Sequence, residues 1–243
     1  MLVNVERLQQ IMQQEGLDGL VGTSTGNIFY LSGVISDAPR LFPGEGQAYA
    51  VITRDQPTDP IYISSTAESD QVLDGFSTTQ RSITYGKFYR EGPFSGIELS
   101  PDEQRLKAIS VDTEPAASPL DALVLAIQKL GLAEQRIGVD ELALRPGYWE
   151  ALKERLPKAK IKNAVDTLRR IRKVKTPEEI RRLRAVTHIV ENAIIAAAAV
   201  AREGVTEYDM AREFDRSIVS QGARPEFTMI RFGHNGVAGQ VIP

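Results

Sequence analysis

The chain has 243 residues, of which 42% are hydrophobic, so it is long enough to bury one large core or two ordinary ones. Its 29 basic and 32 acidic residues leave a formal net charge of -3, a balance that gives no overall field for attracting nucleic acid or an anionic membrane. The chain contains no cysteine, which excludes disulfides, thiolate zinc sites and cysteine nucleophiles.

The opening sequence MLVNVERLQQ becomes polar too early for a secretory signal, and no apolar stretch approaches the length of a membrane span. We therefore expect a soluble, cytoplasmic protein without a membrane partner. The basic run 169–175 has no interleaved aromatic residues and is followed by two glutamates. It is interpreted as a solvated helix face, and no nucleic-acid partner is expected.

Helical and strand patterns alternate over the first 165 residues. Leu8, Ile11 and Met12 recur at helical spacing before Gly16, and a second amphipathic helix begins at Ser118 with Pro119 in its first position. Apolar runs predict strands at 17–22, 48–53, 60–64, 82–86, 136–140 and 159–164. The turn between 48–53 and 60–64 predicts a hairpin. This alternation is typical of an α/β domain in which helices cover a mixed sheet.

The composition changes at Asp166, where a charge-dense stretch begins, so we place a domain boundary between residues 165 and 166. A long helix is predicted from Thr176 to about Gly204, because Thr176 and Glu179 form a capping box with Pro177 between them. A further helix is predicted to begin at Thr206 and to end near Gly222.

The second domain, residues 166–243, is expected to be short of sheet. The run 193–201, AIIAAAAVA, is apolar on every side, which is typical of a helix packed in an interior. A single strand pattern, 226–232, follows to cover it. We therefore expect this domain to be incomplete in the chain, or to be completed by another chain.

Few side chains qualify as catalytic groups. His188 lies inside a predicted helix near Arg184 and Glu191 and is interpreted as an ordinary helix residue, whereas His234 lies in a terminal glycine-rich loop that can project towards a ligand. The sequence has no GxSxG motif for a serine nucleophile. Asp59 and Asp70 have a separation that can serve a metal pair, but their turn and helix contexts favour coincidence.

Three stretches together resemble the creatinase/prolidase/aminopeptidase P family of pita-bread metallopeptidases. Residues 7–33 are similar to its N-terminal helix and strand and its Asn-x-x-Tyr-Leu-Ser-Gly pattern. Residues 168–194 are similar to the junction where its catalytic domain begins, and 232–243, FGHNGVAGQVIP, resemble the loop before its first metal-binding strand. The resemblance covers essentially the whole chain.

The resemblance implies an α/β fold in which a ribonuclease-H-like creatinase N-terminal domain, residues 1–165, precedes an incomplete pita-bread α+β domain, residues 166–243. Family members cleave Xaa-Pro peptide bonds or related C–N bonds with two divalent metal ions, such as Mn, Zn or Co. The resemblance implies that the metal ligands lie downstream of the terminal loop, so no metal ligand is assigned in this chain. It also implies a homodimer, a peptide or small amide-type substrate, and a fragment that is inactive alone.

The terminal loop departs from the family pattern. Gly233 and Asn235 match it, whereas Phe232 replaces a serine and Gln240 occupies the position of a substrate-contacting histidine. The resemblance therefore predicts Gln240 as the catalytic position, with Asn235 and His234 lining the substrate site, although His234 stands at a variable position. Glutamine can donate a hydrogen bond but cannot shuttle a proton. A non-catalytic binding or scaffold protein, and a non-peptidase hydrolase or lyase on the same fold, are the alternatives.

Overall fold

The computed structural model describes residues 2–73, 79–89 and 96–237. The chain divides into two compact units, Met1–Thr176 and Pro177–Pro243. The first unit contains a sheet with helices on both faces, and the second contains two helices and an extended segment. No helix in the described ranges is long and apolar enough to cross a membrane.

A six-stranded sheet forms the centre of the first unit in the described residues. Its strands are β1 (Gly19–Gly22), β2 (Tyr49–Thr53), β3 (Ile61–Ser65), β4 (Arg81–Tyr85), β5 (Arg136–Val139) and β6 (Lys160–Asn163). They lie in the order β4-β3-β2-β1-β5-β6. Strand β2 is antiparallel to β1 and β3, whereas β1, β5 and β6 run parallel, as do β3 and β4. The predicted mixed sheet and the β2–β3 hairpin are confirmed.

Helices of the first unit begin and end at the signals that the sequence carries. They are α1 (Val5–Gln14), α2 (Thr25–Ser32), α3 (Ala38–Leu41), a 3-10 helix (Thr66–Leu73), α4 (Pro101–Ser110), α5 (Pro119–Lys129), α6 (Tyr148–Arg155) and α7 (Val165–Arg172). The Ser118 hydroxyl accepts the backbone N–H of Asp121 and caps α5. Gly131, with φ of 70°, follows the last turn of that helix and suits a helix end.

Each face of the sheet carries its own hydrophobic core. Leu20 of β1 and Ile52 of β2 lie in the core formed with α1, α2 and α7, whereas Val21 and Val51 lie in the core formed with α5 and α6. Successive strand residues point to opposite faces, so a strand covered on both sides is apolar at every position. Each fully buried aliphatic side chain contributes about 1.5–3 kcal/mol to stability.

Helix α7 belongs to the first unit. Leu168 and Ile171 are fully buried in the core that α1 also lines. The guanidinium group of Arg7 donates to the carbonyl of Arg170 at 3.0 and 2.8 Å, which fixes α7 beside α1. The division between the two units accordingly follows Thr176, eleven residues beyond the boundary predicted after residue 165. The many charged residues of α7 made its buried apolar face difficult to recognise in the sequence.

The second unit contains α8 (Pro177–Ala199), α9 (Glu207–Ser220) and a 3-10 turn (Gly233–Gly236). Helix α8 begins at Pro177, as predicted, and ends before the predicted limit at Gly204. Helix α9 is capped by a Thr206–Asp209 box, in which the Thr206 hydroxyl accepts the N–H of Asp209. The amide of Asn192 donates to the side-chain oxygen of Gln221 at 3.0 Å and joins the two helices.

Within the described unit the run 193–201 buries only its small residues Ala193 and Ala197, while Ile194 and Ile195 are 55% and 68% exposed. Its expected interior position therefore stays a prediction for a completed domain, whereas one other prediction for this unit is wrong. The segment 226–232 was expected to be a strand, yet it pairs with no strand in the described part of the unit. Its polar groups bond instead to side chains of α9.

Candidate functional site

The terminal turn contains the described residues that the sequence singled out. Phe232 has an extended backbone, with φ of -152° and ψ of 172°, and Gly233 then adopts a φ of +57°. This left-handed conformation favours glycine even though a Cβ atom at Gly233 would meet nothing within 4 Å. The chain therefore reverses at Gly233 and presents the next residues as a short exposed turn.

The structure brings His234 and Asn235 together on this turn, where both are exposed. The side-chain amide of Asn235 donates to a carboxylate oxygen of Glu207 at 2.9 Å, and the carbonyl of His234 accepts the backbone N–H of Val237 at 3.2 Å. Gln240 lies outside the described residues. Its catalytic role therefore stays a prediction, as do the substrate contacts of His234 and Asn235.

Glu207, the first residue of α9, is a member of this site that the sequence reasoning missed. Its second carboxylate oxygen accepts the backbone N–H of Phe232 at 2.9 Å. The hydrogen bonds from Phe232 and Asn235 hold the pKa of Glu207 below its usual value, and the charge of Arg231 lowers it further. A carboxylate in the first turn is also stabilised by the helix dipole. Its position at a helix start gave no hint of a partner 25 residues away.

A second carboxylate of α9 holds the same segment. The hydroxyl of Thr228 donates to Asp215 at 2.6 Å, two turns of helix beyond Glu207. Glu207 and Asp215 are eight positions apart, which corresponds to about 12 Å along a helix. Thr228 and Phe232 are four positions apart, about 13 Å in an extended chain. The matched lengths place the segment along α9, antiparallel to it.

The remaining sequence candidates have structural roles. The imidazole Nδ1 of His188 lies 3.8 Å from the carboxylate of Glu191, and the side chain is 75% exposed, as expected of an ordinary helix residue. Asp59 pairs with Arg81 at 2.9 Å, so its carboxylate serves an ion pair beside the sheet. No group of three or more His, Cys, Asp or Glu side chains within residues 2–73, 79–89 and 96–237 is arranged to hold a metal ion.

A buried polar cluster in the first unit explains the Asn-x-x-Tyr part of the family pattern. Asp140, which follows β5 and is fully buried, accepts hydrogen bonds from the Ser24 hydroxyl at 2.7 Å and the Asn27 amide at 2.7 Å. Its other oxygen accepts the backbone N–H of Leu142 at 3.2 Å. Burial raises the pKa of Asp140, but these bonds favour the charged form and leave the pKa below its usual value.

This cluster reaches the end of the first unit. The side-chain oxygen of Asn27 accepts from the guanidinium of Arg172 at 2.8 Å, and that guanidinium also lies over the ring of Tyr30. The hydroxyl of Tyr30 accepts the backbone N–H of Asn4 at 2.9 Å. Asn27 and Tyr30 therefore connect α2 with α1 and α7, and their role is structural.

The first unit has a cavity of about 510 Å³ in its surface. It is open to solvent at the start of β1 and the end of α5, with Asp18, Arg54 and Lys129 in its wall. Arg54 pairs with Asp18 at 3.2 Å and with Asp55 at 3.4 Å, so its charge is largely compensated within the wall. None of the predicted site residues lines this cavity.

Comparison with known proteins supports the family resemblance. Residues 4–81 match the Creatinase/Prolidase N-terminal domain. No curated protein sequence matches the chain. An X-Pro aminopeptidase from Thermotoga maritima shares the fold with a TM-score of 0.59 and 16% identity, covering 90% of this chain and 49% of its own. A prolidase from Pyrococcus furiosus gives 0.55 and 19%, covering 90% and 53%.

A prolidase from Pyrococcus horikoshii gives a TM-score of 0.55 with 18% identity, covering 89% of this chain and 48% of its own. The chain thus spans about half the length of the solved structures that it matches. At these identities the likeness establishes the fold. Residues 4–81 are similar to the creatinase/prolidase N-terminal domain, and the chain has the fold that the matched prolidases and X-Pro aminopeptidase share.

Proposed function

We propose that this chain is part of a metal-dependent hydrolase of the prolidase and aminopeptidase P type, which cleaves Xaa-Pro peptides or a related amide. The observation that carries the proposal is the course of the backbone, which follows an X-Pro aminopeptidase and a prolidase over 90% of the chain. The match of residues 4–81 to the family's N-terminal domain supports it independently. A cytoplasmic homodimer is part of the proposal.

The described residues do not supply a metal site. Ligands for the expected pair of Mn, Zn or Co ions would need several close carboxylate and imidazole groups, and the described ranges contain no such group of three. In keeping with the family resemblance, the proposal assigns the metal ligands to residues downstream of the terminal loop.

The contribution of the chain itself would be to bind and orient the substrate. Asn235 and His234 lie on an exposed turn, where their side chains can donate and accept hydrogen bonds with a peptide. In the proposal Gln240 donates a hydrogen bond to the carbonyl oxygen of the scissile bond. Because an amide side chain cannot act as a general acid or base at neutral pH, Gln240 would orient the carbonyl and leave proton transfer to other groups.

A binding protein without catalysis is the second candidate. Gln240 favours it, since this residue stands where the family pattern has a histidine. A hydrolase or lyase acting on a non-peptide C–N bond is compatible with the same observation. Both alternatives retain the fold and differ from the first proposal in the chemistry that follows binding.

Hydrolysis of Ala-Pro and of an Ala-Pro-containing tripeptide tests the proposal. We expect turnover by the full-length gene product after loading with Mn, Zn or Co, and none by residues 1–243 alone. Absence of turnover with all three metals, together with measurable peptide binding, would support the binding protein. Metal-dependent turnover by residues 1–243 would show that the described chain is catalytic by itself.

A further inference from the structure

The four carboxylates of helix α9 have different partners. This difference singles out Glu207 as a candidate functional residue. Asp209 caps the helix with Thr206, and Glu213 pairs with Arg216 of the same helix at 2.5 Å. Glu207 and Asp215 instead accept bonds from the segment that leads to the terminal turn. Two carboxylates of the helix therefore stabilise the helix, and two fix a neighbouring segment.

Glu207 holds the segment on both sides of the reversal at Gly233. One oxygen accepts the N–H of Phe232 before the reversal, and the other accepts the side chain of Asn235 after it, each at 2.9 Å. A hydrogen bond from a backbone N–H fixes the position of the chain. An ion pair with a flexible surface side chain does not. His234 lies between the two bonded residues, so its backbone is held by the same carboxylate.

The hydrogen bond to Glu207 also sets the orientation of the Asn235 side-chain amide. A carboxylate only accepts hydrogen bonds, so the NH₂ group of Asn235 must face Glu207. The side-chain oxygen Oδ1 consequently faces away from Glu207. An oxygen in that direction suits a donor, such as a peptide N–H or a free α-amino group, and does not suit a substrate carbonyl.

We propose that Glu207 is a positioning residue, which fixes the turn and orients Asn235 so that its Oδ1 accepts a hydrogen bond from an N–H or ammonium group of the substrate. This inference rests on the proposed function, because it takes the substrate to be a peptide. Glu207 acts through Asn235 and the backbone of Phe232, and it makes no substrate contact itself. Asp215 supports it by fixing Thr228 at the other end of the segment.

Hydrogen exchange of residues 1–243 tests the bonds without reference to activity. In Glu207→Ala we expect the amide of Phe232 to exchange about tenfold faster, because its acceptor is lost. Glu213→Ala is the matched control, since it removes an equal charge from the same helix but leaves the segment bonded. The double variant Glu207→Gln with Asn235→Asp keeps the charge and reverses the side-chain bond, so it should restore slow exchange. Unchanged exchange in Glu207→Ala would overturn the proposal.

Kinetics of the full-length gene product test the role in binding. Glu207→Ala should raise the KM for Ala-Pro about tenfold with kcat within about twofold, because an oriented binding group is lost while the reacting groups stay. Glu213→Ala should leave both constants unchanged. A KM that does not rise would overturn the positioning role even if exchange accelerates. If the wild-type protein neither binds nor cleaves Ala-Pro, the proposed function and the substrate role of Glu207 fail together, whereas the exchange rates still decide whether the bonds exist.

Discussion

The two units hold carboxylate side chains in different surroundings, although their helices show similar sequence signals. In the first unit Asp140 is fully buried and its carboxylate accepts bonds from residues 113 to 117 positions away. In the second unit Glu207 accepts bonds at the surface from residues 25 to 28 positions away. The first unit is therefore held by long-range contacts inside a core, and the second by local contacts around two helices.

The hydrophobic residues show the same difference. The first unit buries apolar residues on both faces of its sheet, whereas the described part of the second buries only Ala193, Ala197 and Ile218. Large side chains of α8 such as Leu183 and Ile195 are more than half exposed. A core of its own is what lets a domain fold independently. Substitutions should accordingly cost far more in the first unit than in the second.

The largest effect is expected at Asp140. Asp140→Ala would remove the buried acceptor of the donors of Ser24, Asn27 and Leu142, so it should lower the free energy of unfolding of the first unit by about 3–5 kcal/mol. Urea unfolding followed by the fluorescence of Trp149, the single tryptophan of the chain, reports on this unit directly.

Asp166→Ala is the control for that measurement. Asp166 pairs with Arg169 on the surface of α7, and its side chain is 88% exposed. Surface pairs contribute little, so this variant should unfold with the wild-type midpoint. If Asp140→Ala were as stable as Asp166→Ala, the buried cluster would contribute nothing to the fold. The contrast drawn between the two units would then be wrong.

A smaller effect is expected when the same truncation is made on either side of the boundary between the units. Leu168 of α7 is fully buried, whereas Leu183 of α8 is 54% exposed. Leu168→Ala should lower the free energy of unfolding by about 2–4 kcal/mol because it leaves a cavity. Leu183→Ala should change the Trp149 transition within error. Equal effects would contradict the assignment of α7 to the first unit.

Local sequence signals predicted the helices and strands more accurately than they predicted the contacts between them. Pro119 and Gly131 marked the ends of α5, and the alternation of apolar runs predicted the mixed sheet, because both signals act within a few residues. The boundary predicted after residue 165 rested on the charge density of α7, whereas Leu168 and Ile171 supply the buried face of that helix. Charge on one side of a helix does not report on its other side.

The candidate site was predictable only in part. The resemblance drew attention to His234 and Asn235, and the structure places both on one exposed turn. It could not reveal Glu207, because a glutamate in the first position of a helix is common for electrostatic reasons alone. The segment 226–232 was taken for a strand because an extended chain beside a helix shows the same alternation as a strand. Its true partner became apparent only from the three-dimensional contacts.

The smallest effect is expected at Glu68, whose carboxylate is only partly hydrogen-bonded inside the first unit. One oxygen of Glu68 accepts the N–H of Ala38 at 2.6 Å and the amide of Gln71 at 3.1 Å. The other is buried with no hydrogen-bond partner among the described residues. Burial raises the pKa of Glu68, and the nearby carboxylate of Asp37 also raises it, although the bonds from Ala38 and Gln71 lower it.

A carboxyl group whose pKa is raised on folding binds its proton more tightly in the folded state. Its contribution to stability is therefore present below the ordinary pKa of 4.5 and is lost as the pH rises through the folded value. Glu68→Gln removes this dependence and should stabilise the first unit by about 1 kcal/mol at pH 8, with a smaller gain at pH 4. Glu134→Gln, at an exposed carboxylate that pairs with Lys158, is the control and should give no gain. If Glu68→Gln raised the free energy of unfolding equally at both pH values, the cause would be packing. The buried charge of Glu68 would then not destabilise the unit.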